Sequence, residues 1–198
     1  MELIDIGCNL THDSFDADRS QVIDAARAVG VVQMVVTGAS GDGSEQALEL
    51  AQAWPGVLFA TAGVHPHRAS SWDDDLERRL RELAVAPEVL AVGEAGLDYF
   101  RDFSPRDAQA RAFEAQLQIG ADAGLPLFLH LRDAHEDFHA ILRSWRDRLA
   151  DVVAVDTGDE TGLVHLRFAA ELGDDDSQSE SNSGDAGRLV AEVENALS

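Results

Sequence analysis

Lysine is missing from this chain. All fifteen of its basic residues are arginines, set against 37 acidic residues, and the formal net charge is -22 over 198 residues. Without lysine, no metal site bridged by a carbamylated lysine can be built. Cysteine is nearly missing: Cys8 stands alone, which excludes an internal disulfide and makes a cytoplasmic location the default. No apolar run approaches the roughly 20 residues of a membrane span. The start, Met1-Glu2-Leu3-Ile4-Asp5, lacks the basic and apolar regions of a signal peptide, so no membrane partner is expected. A surface this acidic repels polyanions at low ionic strength. Adaptation to a salty, halophile-like cytoplasm, where screening removes the self-repulsion, is the favoured reading. A high-GC genome that encodes arginine in place of lysine is the other. Neither identifies a substrate.

What the chain has is a recurring pattern. The apolar share is 45%, ordinary for a globular domain long enough to bury a substantial core. Buried-strand runs recur at Leu3–Cys8, Val31–Thr37, Val57–Val64, Val89–Gly93, Leu125–His130 and Val152–Val155, with helical patterns between them. Strands alternating with helices imply a parallel sheet. Helices are expected from about Asp16 to Val29, Ser44 to Trp54, from near Ser71, from a Ser104 cap with Pro105 at the first helical position, from Asp133 to Leu149, and from Glu160 to Leu172. Six βα units fit a (β/α) barrel that is two units short, or an open parallel sheet. This α/β domain is expected to span residues 1–173. Residues 174–187, Asp174-Asp175-Asp176-Ser177 onward, read as an acidic, serine-rich disordered linker. Residues 188–198 read as a short amphipathic helix. From residue 151 onward, twelve acidic residues face two arginines.

The chemistry-bearing residues stand where buried strands end. Val92-Gly93-Glu94-Ala95-Gly96-Leu97-Asp98 closes an apolar run with a carboxylate, which is how a barrel strand delivers an acid to its rim. Gly96 and Asp98 are expected in the loop beyond it, with Asp98 either orienting a ligand or capping a turn. Gly63-Val64-His65-Pro66-His67 places two imidazoles on one side of a strand terminus, a pair able to hold a transition metal. Phe128-Leu129-His130-Leu131-Arg132 ends a third strand in an imidazole beside a cation suited to a phosphate or carboxylate substrate. His135 and His139, four apart on a helix, lack the glutamate of a zincin motif and are expected to be solvated, and nothing singles out His12 or His165. Together the strand ends predict a divalent-metal hydrolase, in which the metal lowers the pKa of bound water and polarises the scissile group. Glu94 is expected as a metal ligand able to bridge two ions and His130 as a ligand. His65 is expected as a ligand or substrate contact; His67, Asp98 and Arg132 are candidate substrate contacts.

Four segments in this order, Asp5-Ile6-Gly7-Cys8-Asn9-Leu10-Thr11, Gly63-Val64-His65-Pro66-His67, Gly93-Glu94-Ala95-Gly96-Leu97-Asp98 and His130-Leu131-Arg132-Asp133-Ala134-His135, resemble the TatD family of metal-dependent deoxyribonucleases. The resemblance runs from about residue 3 to 150. It implies a TIM-barrel hydrolase, Mg²⁺ as cofactor with Mn²⁺ or Zn²⁺ as alternatives, and exonuclease-like cleavage of phosphodiester bonds in DNA, with single strands the favoured substrate. It also implies catalytic roles for His65 and Glu94 and metal binding by Glu94 and His130.

Two departures accompany the resemblance. The wider family carries His-x-His at the end of its first strand, where this chain has Gly7 and Asn9, as does the branch nearest TatD itself. After the sixth strand the family supplies a metal-binding histidine and later a Glu-Thr-Asp motif. This chain reads Val155-Asp156-Thr157-Gly158, then Glu160-Thr161-Gly162, with neither ligand. The match therefore stops near residue 155, as a truncated or frame-shifted coding sequence would produce, and strands 7 and 8 are expected to be missing. Open barrel edges would then invite self-association. Three functions stay open: an active TatD-like nuclease, an inactive remnant or binding module of the same fold, and a hydrolase that keeps the metal site but takes another substrate.

Overall fold

Six of the apolar runs form parallel neighbours in one sheet, in the order in which the chain makes them. A computed structural model describes residues 2–149 and the backbone of two further strands. The strands are β1 (Leu3–Cys8), β2 (Val31–Val36), β3 (Leu58–Ala62), β4 (Val89–Asp98), β5 (Leu127–Arg132), β6 (Val152–Asp156) and β7 (Gly162–Leu166). The sheet order is β1-β2-β3-β4-β5-β6-β7, with every pair from β1 to β6 parallel and β7 antiparallel to β6. Helices α1 (Arg19–Ala28), α2 (Gly41–Ala53), α3 (Asp74–Leu83), α4 (Arg106–Ala123) and α5 (His135–Trp145) connect the first six. Consecutive parallel strands joined by helices are the (β/α) barrel arrangement. Among the described residues no pairing joins β7 back to β1, so the architecture is an incomplete, TIM-barrel-like α/β fold.

Parallel strands covered on both faces should be apolar throughout, and the central ones are. β5 is buried from Leu127 to Leu131, and β3 and β4 contribute Leu58, Ala60, Ala62, Val92, Ala95 and Leu97, each at most 1% exposed. The helices close the core from outside with Ile23, Ala47, Ala51, Leu80, Phe113 and Leu117. The Phe113 and Phe138 rings stack at 5.2 Å, joining α4 to α5. At the β1 edge cover is thinner, and Leu3 and Val32 are exposed.

Several expected boundaries shift for local reasons. The strand expected to stop at Gly93 continues to Asp98, because Gly93 and Gly96, at φ +145° and +147°, bend without leaving the ladder with β5. Gly96 and Asp98 therefore lie within the strand and not in a following loop. Ser71 ends a 3-10 segment, and Asp73 caps α3 by accepting from the Leu76 amide at 2.8 Å. Ser104 does not cap α4. It is buried and bridges two backbone groups, accepting from the Ser70 amide and donating to the His67 carbonyl, each at 3.1 Å.

The helix expected over Glu160–Leu172 gives way to β7 over Gly162–Leu166. That segment, Gly162-Leu163-Val164-His165-Leu166, carries a β-branched residue and opens on a glycine, which weakens a helix. Pairing it with β6 satisfies an edge whose N–H and C=O groups would otherwise face outward. No further parallel strand follows β6 among the described residues. The linker over 174–187 and the helix over 188–198 lie outside the described residues.

Candidate active site

Glu94 reaches the rim through a tight crossing of three strands. Its amide donates to the Gly38 carbonyl beyond β2 at 2.8 Å, and the Gly38 amide donates to Thr61 Oγ1 of β3 at 2.9 Å. A Cβ at Gly63 would lie 2.4 Å from the Gly93 carbonyl carbon, and one at Gly93 would lie 1.9 Å from the Phe128 oxygen. Only glycine fits at these crossings, so β3, β4 and β5 bring their ends close enough for short side chains to meet.

His65, Glu94 and His130, from the ends of β3, β4 and β5, do meet. One potential ligand atom from each lies within 4.8 Å of the others. His130 Nδ1 is 3.1 Å from Glu94 Oε1 and 3.3 Å from His65 Nε2, while His65 Nε2 is 3.8 Å from Glu94 Oε1. Asp98, 1% exposed, is the hub behind them. Its Oδ2 is 2.7 Å from His67 Nε2 and 3.3 Å from His130 Nε2, and its Oδ1 accepts from the Arg101 amide at 2.8 Å. Asp98 thus contacts two imidazoles and also caps the turn that follows the strand.

The hydrogen-bond pattern assigns the tautomers. The His67 amide donates to His65 Nδ1 at 3.2 Å, so neutral His65 carries its proton on Nε2, facing the cluster. Asp98 beside His130 Nε2 fixes that proton on Nε2 and leaves the Nδ1 lone pair directed at Glu94 and His65. A carboxylate behind a histidine is the usual way of orienting a metal-binding imidazole.

The titrations fit the same picture. Burial pushes the His65 imidazole down to about 4, with the His130 and His67 rings adding to the effect against Glu94 and Asp98. Burial would raise the Glu94 carboxyl, but the His130, His65 and His67 imidazoles beside it outweigh that and leave it below its ordinary value. Asp98 is likewise raised by burial and lowered further by the Arg101 amide and His67. At neutral pH the carboxylates are ionised, the form in which they bind metal, and His65 is neutral. One ion with bonds of about 2.1 Å can touch both His130 Nδ1 and Glu94 Oε1 across their 3.1 Å separation. The donor set therefore fits a divalent cation.

Two glutamines that the sequence reading passed over hold this site from behind. On α4, Gln109 accepts from the Asp98 amide at 2.8 Å and donates to the Ser104 carbonyl at 2.8 Å. Two turns on, Gln116 accepts from the Val64 amide at 2.7 Å and donates to the Val64 carbonyl at 3.1 Å. Both are at most 1% exposed. Their sequence signal was a polar residue recurring on the helix face that also buries Phe113.

The remaining candidates separate from the cluster. The Arg132 guanidinium lies 4.0 Å over the Phe100 ring, at the rim. Gly7 and Asn9 are exposed, and a Cβ at Gly7 would lie 3.2 Å from the Phe128 ring, which occupies the space a larger residue would need. His135 and His139 are exposed on α5, as expected. Val155 of β6 is in register with His130 and Asp156 with Leu131, so β6 continues the row of strand ends.

A parallel (β/α) sheet whose consecutive strand ends converge on two histidines and a glutamate gathers a donor set suited to a divalent ion. The chain belongs to the TatD related DNase family, whose pattern matches residues 4–160. It is 48% identical over 151 residues to the 3'-5' ssDNA/RNA exonuclease TatD of Musicola paradisiaca, a match covering 76% of this chain and 57% of that protein. Among solved structures, a TatD homologue from Escherichia coli K12 superposes with a TM-score of 0.68 at 27% identity, covering 73% of this chain and 56% of that one. A phosphotriesterase homology protein from Escherichia coli, at 14% identity and a TM-score of 0.54, covers 77% of this chain and 61% of that one and shares the fold. The chain thus spans somewhat more than half the length of these relatives.

Proposed function

We propose that this chain is a divalent-metal-dependent nuclease that removes nucleotides from the 3' end of single-stranded DNA or RNA. The observation that carries the reading is the His65–Glu94–His130 cluster at three adjacent strand ends, in a chain 48% identical to a protein named as such an exonuclease. A bound divalent ion supplies a water acidified toward neutral pH and polarises a phosphate oxygen. Glu94 and His130 would hold that ion. Mg²⁺ is the proposed cofactor, with Mn²⁺ or Zn²⁺ as alternatives.

The chain's own residues do the rest. Asp98 holds His130 with its Nδ1 lone pair toward the ion. His65, neutral at working pH, presents its Nε2–H as a donor to a phosphate oxygen. His67, tied to Asp98, lines the same opening. The favoured setting is the cytoplasm, on the lone free Cys8, which lies partly buried and donates to the Val35 carbonyl. No helix among the described residues is long and apolar enough to cross a membrane.

Cleavage of end-labelled single-stranded DNA and RNA, with Mg²⁺ or Mn²⁺ and from low to molar KCl, tests the proposal. Shortening from the 3' end that needs metal and disappears in Glu94→Gln supports it. A folded chain that binds metal without cleaving either polymer favours the binding-module reading. Because the net charge is -22, KM for the polymer is expected to fall as salt first screens the repulsion.

A further inference from the structure

The segment joining β4 to α4 sets two large apolar rings in solvent beside the cluster. Phe100 is 58% exposed and Phe103 65% exposed. Each ring leaves more than half of its surface in water, an apolar exposure that folding alone does not favour.

Mobility does not account for it, because the segment is pinned from below. The Arg101 amide donates to Asp98, Gln109 donates to the Ser104 carbonyl, and Ser104 donates to the His67 carbonyl. Asp102 sits at φ +51°, and the Tyr99 amide donates to the Arg132 carbonyl.

Cations accompany the rings. Arg132 lies 4.0 Å over Phe100, Arg106 lies 4.1 Å over Tyr99 and Arg101 lies 6.0 Å from the Phe103 centroid. Arg106 is paired with Asp102, whereas Arg101 and Arg132 have no carboxylate partner among the described residues. In a chain of net charge -22 this is a small basic and aromatic island. Phe103 also meets His67 edge to face, with centroids 4.8 Å apart, and His67 leads through Asp98 to His130.

Fixed, exposed rings interleaved with unpaired guanidinium groups are what a single strand needs. Every base has a π face that stacks on an aromatic ring, and each phosphate takes an arginine. We propose that Phe100 and Phe103, with Arg101 and Arg132, form a stacking lip that receives the terminal bases of a single-stranded nucleic acid. The lip feeds the adjoining phosphodiester toward His67 and the cluster. This rests on the nuclease reading of that cluster. Stacking predicts tolerance of base identity, and arginine contacts predict weakening at high salt.

The test uses the full chain in EDTA, where nothing is cleaved, and oligonucleotides carrying 2-aminopurine at the 3' end, whose fluorescence falls on stacking. Phe100→Leu/Phe103→Leu keeps apolar volume and removes both π faces, and circular dichroism confirms its fold. The expected result is quenching by the wild type, about tenfold weaker binding by the double variant, and near-equal binding by both of an oligonucleotide with abasic 3' positions. Equal binding of the intact oligonucleotide by both proteins overturns the lip and leaves the nuclease reading standing. Self-association lost in the double variant, with binding unchanged, also overturns it and assigns the patch to a second copy of the chain. Metal-dependent hydrolysis of bis(p-nitrophenyl) phosphate, which has no bases, reads the cluster separately. A wild type that hydrolyses this ester but binds no single strand overturns the lip alone. A wild type that does neither overturns both readings.

Discussion

Asp98 Oδ2 lies 2.7 Å from His67 Nε2 and holds His130 Nε2 at 3.3 Å, so one buried carboxylate sets two imidazoles at once. Asp98→Asn keeps the shape and removes the charge that fixes the His130 tautomer. Divalent-metal affinity is expected to fall about 10- to 100-fold, the usual effect of losing such a partner. Titration calorimetry with Mn²⁺ checks this, and unchanged affinity would remove Asp98 from the orienting role.

The metal-free chain should lose stability as pH falls from 6.5 toward 4. His65 has an ordinary pKa of 6.5 and is held at about 4 in the folded state by burial and its neighbouring rings. The unfolded chain therefore binds the proton more tightly, so stability is complete above 6.5 and declines between those values. The full shift corresponds to about 3 kcal/mol as an upper bound. Below 4 the His65 contribution is spent. Glu94 and Asp98, both held below their ordinary values, continue the loss as they protonate. Urea midpoints in EDTA at pH 7 and 4.5 give the slope, and His65→Asn should flatten it.

Gly96→Ala should prevent folding or cost more than about 4 kcal/mol. Its φ is +147°, and a Cβ would lie 1.9 Å from the His130 carbonyl oxygen, a backbone atom that cannot swing aside. Loss of soluble protein or of the cooperative thermal transition is the expected readout. A variant melting within a few degrees of the wild type would contradict the close crossing of β4 and β5.

Gln116→Leu should cost about 1–3 kcal/mol for each of the Val64 amide and carbonyl it leaves buried without a partner. Because Val64 precedes His65, metal affinity should fall along with the urea midpoint. A midpoint shift with unchanged affinity would confine Gln116 to the core.

Much of this was legible along the chain. The apolar runs of β1 to β6 and the helices between them carry periodicities that neighbouring residues impose. His65, Glu94 and His130 each follow such a run, so their gathering at one rim followed from a parallel sheet alone. Arg132 stands two positions past His130 on β5, and where its guanidinium lies, over the Phe100 ring at the rim, was set by the β4–α4 segment and not by the strand's own periodicity. The helix expected over Glu160–Leu172 failed over Gly162–Leu166 because an open strand edge outweighed a weak local preference.

The sequence by itself determined the alternation of strands and helices, the family, and which three residues end the strands at the site. Those properties reside in local patterns and short motifs. Only the tertiary structure decided that β4 runs on through two glycines to deliver Asp98, that Asp98 orients His130, and that Gln109 and Gln116 fasten the strand ends. Each depends on contacts between residues 11 to 52 positions apart, where distance, burial and hydrogen-bond geometry settle the outcome.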